Sequence, residues 1–226
     1  MGGLNKVSTL DYPKGVSAVV FTQGCNFFCP YCHNPDLVRP FGTLMDEDGV
    51  LEFLKTRVKL LDGVVISGGE PTVVADLPEF ILKVKGFGYK VKLDTNGSRP
   101  ETIKDLLERH LVDYVALDIK ADPRAYPPEL GPPEETERVM ETINLLKRLG
   151  RPHEFRTTAA APFVNDDSVE AIARAATGDA PLYLQKFKPQ TVFTPGFMAN
   201  HPDQPGPEDL YRFRDIARHH LPAFIR

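Results

Sequence analysis

Three cysteines, Cys25, Cys29 and Cys32, fall within one short stretch, and the rest of the 226-residue chain has none. An odd, clustered set does not make a disulfide framework; clustered thiols in a reducing compartment point to metal or redox chemistry. Three thiolates on one tight loop can hold three irons of a four-iron cluster and leave the fourth iron open to a small molecule. Zinc is the alternative. A structural zinc prefers four ligands, commonly in paired Cys-x-x-Cys form, and there is no second pair. His33 directly follows Cys32, an awkward place from which to bind the same ion. The spacing favours the cluster.

Such a loop needs a rigid platform, and the chain supplies one by alternation. Val16–Thr22 is β-rich and short enough for a buried strand, and the cysteines follow it. Gly63–Ser67 and Tyr89–Thr95 read as the next strands, Asp113–Lys120 as a fourth, His153–Thr158 as a fifth and Leu182–Phe187 as a sixth. Helical patterns lie between them. Leu51, Leu54, Val58 and Leu61 form a stripe at spacings of three and four. Asp76 with Glu79, and Ser98 with Glu101, read as capped helix starts. Successive β–α units with long crossovers call for a parallel sheet with helices outside. Six units are too few for a closed eight-stranded barrel. The sheet is therefore an open partial barrel or a flat doubly wound sheet, with residues 1–226 read as a single domain.

The strand ends gather the polar residues. In the fourth strand Val115, Leu117 and Ile119 face one way, and Ala116, Asp118 and Lys120 the other. Parallel α/β folds bind ligands at the C-terminal ends of their strands. The cysteine loop, Ser67-Gly68-Gly69-Glu70, Asp94-Thr95-Asn96-Gly97 and Asp118-Ile119-Lys120 all stand there. A net charge of −4 and a pI near 5.9 argue against a broad nucleic-acid-binding surface. No apolar run approaches the ~18 residues of a membrane span. The start, Met1-Gly2-Gly3-Leu4, has no apolar leader. A cytoplasmic protein is expected.

The run Gly24-Cys25-Asn26-Phe27-Phe28-Cys29-Pro30-Tyr31-Cys32-His33-Asn34-Pro35 resembles the signature of the radical S-adenosylmethionine (SAM) enzymes. Ser67-Gly68-Gly69-Glu70-Pro71 resembles that superfamily's glycine-rich element. Within it, Asp11-Tyr12-Pro13, Asp94-Thr95-Asn96-Gly97, Asp118-Ile119-Lys120 and Phe155-Arg156-Thr157-Thr158 are similar to the glycyl-radical-enzyme activases. The short activating proteins of anaerobic ribonucleoside-triphosphate reductase are the nearest of these.

The resemblance implies an α/β fold, a partial, open (β/α)6 TIM-like barrel of parallel strands with helices outside. It implies a [4Fe–4S] cluster on Cys25, Cys29 and Cys32, and S-adenosylmethionine held by Gly68, Gly69 and Glu70 with Tyr31 near its adenine. Asp94, Thr95 and Asp118 become candidate ligands of a monovalent cation, and Lys120 a partner of the SAM carboxylate. The alternative for these is a solvated Asp118–Lys120 pair and an ordinary turn at Asp94–Gly97. Arg156 is either paired with Glu154 in the interior or in contact with SAM. His33 and Asn34 either donate to cluster sulfurs or simply end the loop.

The implied activity is reductive cleavage of SAM to methionine and a 5′-deoxyadenosyl radical, which takes a hydrogen atom from a glycine of a partner enzyme. The partner is an anaerobic ribonucleotide reductase, and the electron donor is reduced flavodoxin or ferredoxin. Three cysteines leave no ligands for a second four-cysteine cluster. No glycyl-radical sequence occurs in this chain, so the radical glycine belongs to the partner. Asp11–Lys14 and Thr194–Pro207, the latter flanked by Phe193 and carrying Phe197 and Met198, are the expected docking segments around the strand ends. The alternative is that Phe197 and Met198 only cover the mouth of the sheet. A radical SAM enzyme acting on a nucleoside- or pterin-like small molecule is the second functional reading, and a non-catalytic zinc-binding interaction protein the third.

Overall fold

β-Branched and aromatic runs, each closed by glycine or a polar turn, build the sheet in the computed structural model, which describes residues 1–39, 44–189 and 191–226. Strands β1 (Gly3–Ser8), β2 (Ser17–Thr22), β3 (Gly63–Gly68), β4 (Lys90–Thr95), β5 (Tyr114–Asp118), β6 (His153–Ala159), β7 (Leu182–Lys186) and β8 (Ala223–Ile225) belong to one sheet in sequence order. The helices among the described residues are α1 (Pro35–Val38), α2 (Glu47–Thr56), α3 (Leu77–Gly86), α4 (Pro100–Glu108), α5 (Pro133–Thr136), α6 (Arg138–Leu149), α7 (Asp166–Ala176), α8 (Phe197–Asn200) and α9 (Pro207–Ala217). The six expected strands are present. Two more flank them in sequence: β1 before the first and β8 after the last.

The chain divides into two compact units. The first holds Met1–Asn26, Asp36–Thr95 and Glu101–Val115. In it β1 runs antiparallel to β2, and β2, β3 and β4 run parallel in the register Val19–Val65–Lys92 and Val20–Ile66–Leu93. Val64, Val65, Ile66, Val91 and Leu93 are fully buried, as are Leu54 of α2 and Ile81 of α3. Helix α2 starts at Asp46, whose carboxylate accepts the Gly49 N–H, and ends at Thr56. The expected stripe therefore overruns the helix: Val58 and Leu61 lie beyond it and form an isolated bridge. Helix α3 begins where expected, but Asp76 makes no side-chain cap hydrogen bond.

The second unit holds Phe27–Pro35, Asn96–Pro100 and Ala116–Arg226. Strands β6, β7 and β8 run parallel in the register Phe155–Leu182 and Leu182–Ala223. Helix α6 ends at Gly150 in the left-handed conformation (φ 59°). Helix α7 is closed by a reciprocal cap between Asn165 and Ser168. Leu117 and Ile119 on β5 and just after it are fully buried, and so is Ala116 of the opposite face, while Asp118 and Lys120 of that face stay partly open.

One expected placement is overturned. Because β1 is antiparallel to β2, their connection lies at the N-terminal end of β2, opposite the cysteine loop. Val16 and Asp62 exchange hydrogen bonds there, just ahead of β3. Asp11–Lys14 is thus at the far end of the strands from the rim, and the Tyr12 ring packs where a Gly63 Cβ would stand.

Candidate functional site

In the first unit the ends of β2 and β3 are locked together through glycine. Gly69 N–H donates to Thr22 O and Glu70 N–H to Gly24 O (3.2 and 2.8 Å), while Gly24 and Cys25 donate to the Leu37 and Val38 carbonyls. A Cβ on Gly68 would lie 2.3 Å from Thr22 O, and one on Gly69 would lie 2.1 Å from Gly24 O. Gly68 also has φ 130°, a region that favours glycine. The close approach that these glycines serve is made by the chain's own backbone. Gly24 (φ 94°) differs: nothing lies within 4 Å of the place its Cβ would take, which leaves open space beside Cys25.

Glu70 is fully buried. Its Oε1 accepts from Thr72 N–H, the Thr72 hydroxyl and the Thr95 hydroxyl (3.1, 2.5 and 2.7 Å). The acid of the glycine-rich run therefore caps the 3-10 turn at Pro71–Val73 and ties it to β4. Asp94, on the next strand, is 7% exposed and has Lys92 Nζ 2.9 Å from its Oδ1. Lys92 is a residue the motif reading missed. The signal was there: Lys92 and Asp94, two apart, share one face of β4 and alternate with Val91 and Leu93.

In the second unit Cys29-Pro30-Tyr31-Cys32 forms a turn closed by Cys32 N–H to Cys29 O (3.0 Å), with proline at the favoured second position. None of the three cysteines is in a disulfide; Cys29 is buried, and Cys25 and Cys32 are half-buried. Burial pushes the Cys29 thiol up to about 11, against the pull of the Lys120 ammonium and with the push of Cys32. Lys120 is held charged, well above the usual lysine range: burial opposes its charge, but Asp118, Cys29, Tyr31 and Tyr126 outweigh it. Tyr126, also missed, accepts the Lys120 main-chain N–H on its hydroxyl (2.9 Å) and sets its ring edge-on to Phe27.

Asp118 faces two cations of this unit. Arg156 Nε and Nη2 donate to its two oxygens (2.8 and 3.2 Å), and Lys120 Nζ lies 3.9 Å away. Glu154, on the same strand as Arg156, meets Arg226 at 3.3 Å. The Tyr31 ring packs among Phe163, Phe187 and Phe197 (centroids 5.6, 6.0 and 6.2 Å apart), and its hydroxyl is buried with no hydrogen-bond partner among the described residues. His33 stacks on Phe187. Thr194 N–H donates to Pro30 O, so the 194–207 segment is anchored on the cysteine turn. Phe197 is buried, and Met198 is half-buried. A cavity of about 400 Å³ opens here, lined by Pro30, Phe163, Phe197, Asn200 and His201 among others.

These residues fit the expected group unevenly. Within the second unit the thiol turn, the ammonium beside Cys29 and the buried Tyr31 hydroxyl suit a negatively charged sulfur cluster and a polar ligand. Among the described residues, no three His, Cys, Asp or Glu side chains are placed to hold a metal ion. Of the residues expected to hold a cation, Asp94 has Lys92 beside it in the first unit and Asp118 has Arg156 beside it in the second.

The radical SAM superfamily profile matches residues 19–176. A Methanocaldococcus jannaschii protein with the provisional name glycyl-radical enzyme activating enzyme is 35% identical over 206 residues, 87% of this chain and 83% of its own. The pyruvate formate-lyase-activating enzyme of Listeria monocytogenes is 34% identical over 125 residues, half of each chain. Among solved structures, Streptococcus suis SuiB bound to S-adenosylmethionine superposes with a TM-score of 0.65 at 14% identity, over 92% of this chain and 49% of that one. A radical SAM methyltransferase from Sphaerobacter thermophilus gives 0.67 at 19% identity, over 95% and 67%. This chain thus spans about half the length of SuiB, and the likeness is one of fold.

The chain belongs to the radical SAM superfamily. It is an enzyme of that class, with its open, largely parallel α/β sheet, and its cofactors are a [4Fe–4S] cluster and S-adenosylmethionine.

Proposed function

We propose that this protein activates a glycyl-radical enzyme, and that its partner is an anaerobic ribonucleoside-triphosphate reductase. The observation that carries the first part is the 35% identity to a relative of that name over nearly the whole of both chains. The three-cysteine run within a chain of 226 residues supports it, since it leaves no ligands for an auxiliary cluster. The choice of partner rests on the Asp11-Tyr12-Pro13, Cys-His-Asn-Pro and Phe-Arg-Thr-Thr runs. Reduced flavodoxin or ferredoxin is the proposed electron donor, and the cytoplasm the proposed compartment. No helix among the described residues is long and apolar enough to cross a membrane. We read residues 1–226 as one functional domain.

In this reading Cys25, Cys29 and Cys32 hold the cluster, which supplies the electron that cleaves the sulfonium bond of SAM. The protein binds, orients and excludes water. Because Glu70 is occupied by threonines, its contribution to SAM is through the shape of the Gly68–Glu70 backbone. Lys120, charged and 22% exposed, is the partner for the SAM carboxylate. Tyr31 offers its buried hydroxyl and ring to the nucleoside. The aromatic cavity beside Pro30 is where a partner's glycine loop would approach.

Anaerobically reconstituted protein should carry about four irons and four sulfides and cleave SAM with a chemical reductant. With the reductase added, a glycyl radical should appear by electron paramagnetic resonance. SAM cleavage with no radical on the reductase, but with one on another glycyl-radical enzyme, would replace the partner and keep the class. Stoichiometric zinc without sulfide in anaerobic protein would refute the whole reading.

A further inference from the structure

The proline-rich loop between β5 and α5 lies in the second unit, with the cysteine turn. It bears on that turn at three places. Leu130 O accepts the Phe28 N–H at 3.1 Å and lies 3.9 Å from Cys29 Sγ. A Cβ on Gly131 would stand 2.9 Å from Phe27 Cδ1, so the glycine leaves that ring its room. The Tyr126 ring meets Phe27 edge-on, with the centroids 6.2 Å apart. Phe27, two residues before Cys29, is 1% exposed. Prolines at 123, 127, 128 and 132 stiffen the loop, so what it touches is held in place.

The same tyrosine also holds the other end of the loop. Just past β5, Ile119 N–H donates to Arg156 O on β6 (2.8 Å). At the next residue the Tyr126 hydroxyl accepts the Lys120 N–H instead (2.9 Å). A phenylalanine would brace Phe27 as well; the hydroxyl adds the hold on Lys120. Lysine carries its charge on a flexible four-carbon stem. Asp118 reaches the Lys120 ammonium at 3.9 Å, and fixing the root of the stem narrows where that ammonium can go. We propose that Tyr126 is a positioning residue: its ring bears on Phe27 and its hydroxyl on the Lys120 main chain, so that Lys120 meets the SAM carboxylate in register with the Cys29 turn. The inference rests on the reading that Lys120 is the partner of that carboxylate.

The test is a double-mutant cycle on the anaerobically reconstituted full chain: wild type, Tyr126→Phe, Lys120→Met and both together. Iron content and the SAM dissociation constant are measured for each. Tyr126→Phe keeps the ring, so its iron content should match wild type while SAM affinity falls by about three- to tenfold, the scale of one hydrogen bond. Because the hydroxyl acts through Lys120, the double variant should bind SAM no more weakly than Lys120→Met alone. That coupling separates positioning from a structural role, since a general loosening of the loop would add to the Lys120→Met loss. Tyr126→Leu, with the ring gone, should lose iron as well. Unchanged SAM affinity in Tyr126→Phe, or losses that add in the double variant, would overturn the proposal. A Tyr126→Phe protein that takes up no iron would do the same, because the tyrosine would then serve the fold. If Lys120→Met takes up no cluster, Lys120→Arg replaces it in the cycle. Wild-type affinity in the Lys120 variant would reject the reading of Lys120 and the inference with it, whereas a loss there with Tyr126→Phe unaffected rejects Tyr126 alone.

Discussion

Replacing Gly69 by alanine should damage the protein before any ligand is added. The new Cβ would lie 2.1 Å from the Gly24 carbonyl oxygen, where ordinary contact begins at 3.4 Å, so the strand end must retreat by roughly 1.3 Å. Backbone surrounds the spot, including Leu37 O at 2.8 Å, so no flexible side chain can absorb the move. The retreat breaks Glu70 N–H to Gly24 O and strains Gly69 N–H to Thr22 O. One lost and one weakened hydrogen bond cost about 1–2 kcal/mol, and overpacking adds about 1–3 kcal/mol. A loss of about 3 kcal/mol follows, read as a lower urea midpoint at unchanged slope in cluster-free protein. Gly24 precedes Cys25, so iron retention after reconstitution should fall as well. Gly86→Ala is the control: nothing lies within 4 Å of its Cβ position, and the change should be neutral or slightly stabilising. A Gly69→Ala protein within about 0.5 kcal/mol of wild type and fully loaded with iron would refute the reasoning.

Two further outcomes follow from buried groups. Tyr31→Phe removes a buried hydroxyl that has no partner among the described residues, so cluster-free protein should be unchanged or more stable by up to about 1 kcal/mol. SAM affinity should drop if that hydroxyl meets the ligand, and a clear loss of stability without ligand would show that it has a partner inside the protein. The second concerns His153, where burial lowers the ring's pKa below 6.5 while its Nδ1 lies 2.7 Å from Arg151 O. With the folded value below the unfolded one, the ring's contribution is present above pH 6.5. It is lost as pH falls through the folded value. His153→Leu should therefore lose less stability on acidification than wild type. A nuclear magnetic resonance titration placing His153 at or above 6.5 would contradict this.

The legibility of the fold in sequence followed the strength of local signals. Val19–Val20 and Val64–Ile66 are unbroken apolar runs, and both are central buried strands. β1 was missed because Asn5, Lys6 and Val7 face solvent on an edge strand, and β8 because it is three residues long. The Leu51–Leu61 stripe misled because its spacing continued past Thr56, where the helix stops and a bridge takes over. Local periodicity cannot tell a helix from a coincidence of spacing once the chain turns. The placement of Asp11–Lys14 failed for a different reason: without β1, its antiparallel course could not be known, and the connection went to the wrong end of the sheet.

The site shows the same division between what is local and what is not. The cysteine turn could be read because Cys29-Pro30-Tyr31-Cys32 closes on itself. The role of Glu70 could not, because one of its partners, Thr95, is 25 residues away. Gly68 and Gly69 are expected to hold SAM through close backbone approach, and each is also demanded by the backbone of Thr22 or Gly24. Every member of the Gly-Gly-Glu run thus answers first to the protein: two glycines let β2 and β3 close together, and the acid pins the following turn to β4. What the run can offer a ligand is the backbone it holds rigid. A substitution within it that harms SAM binding must therefore be judged against its effect on the cluster-free fold, since the run builds the strand ends whether or not a ligand is present.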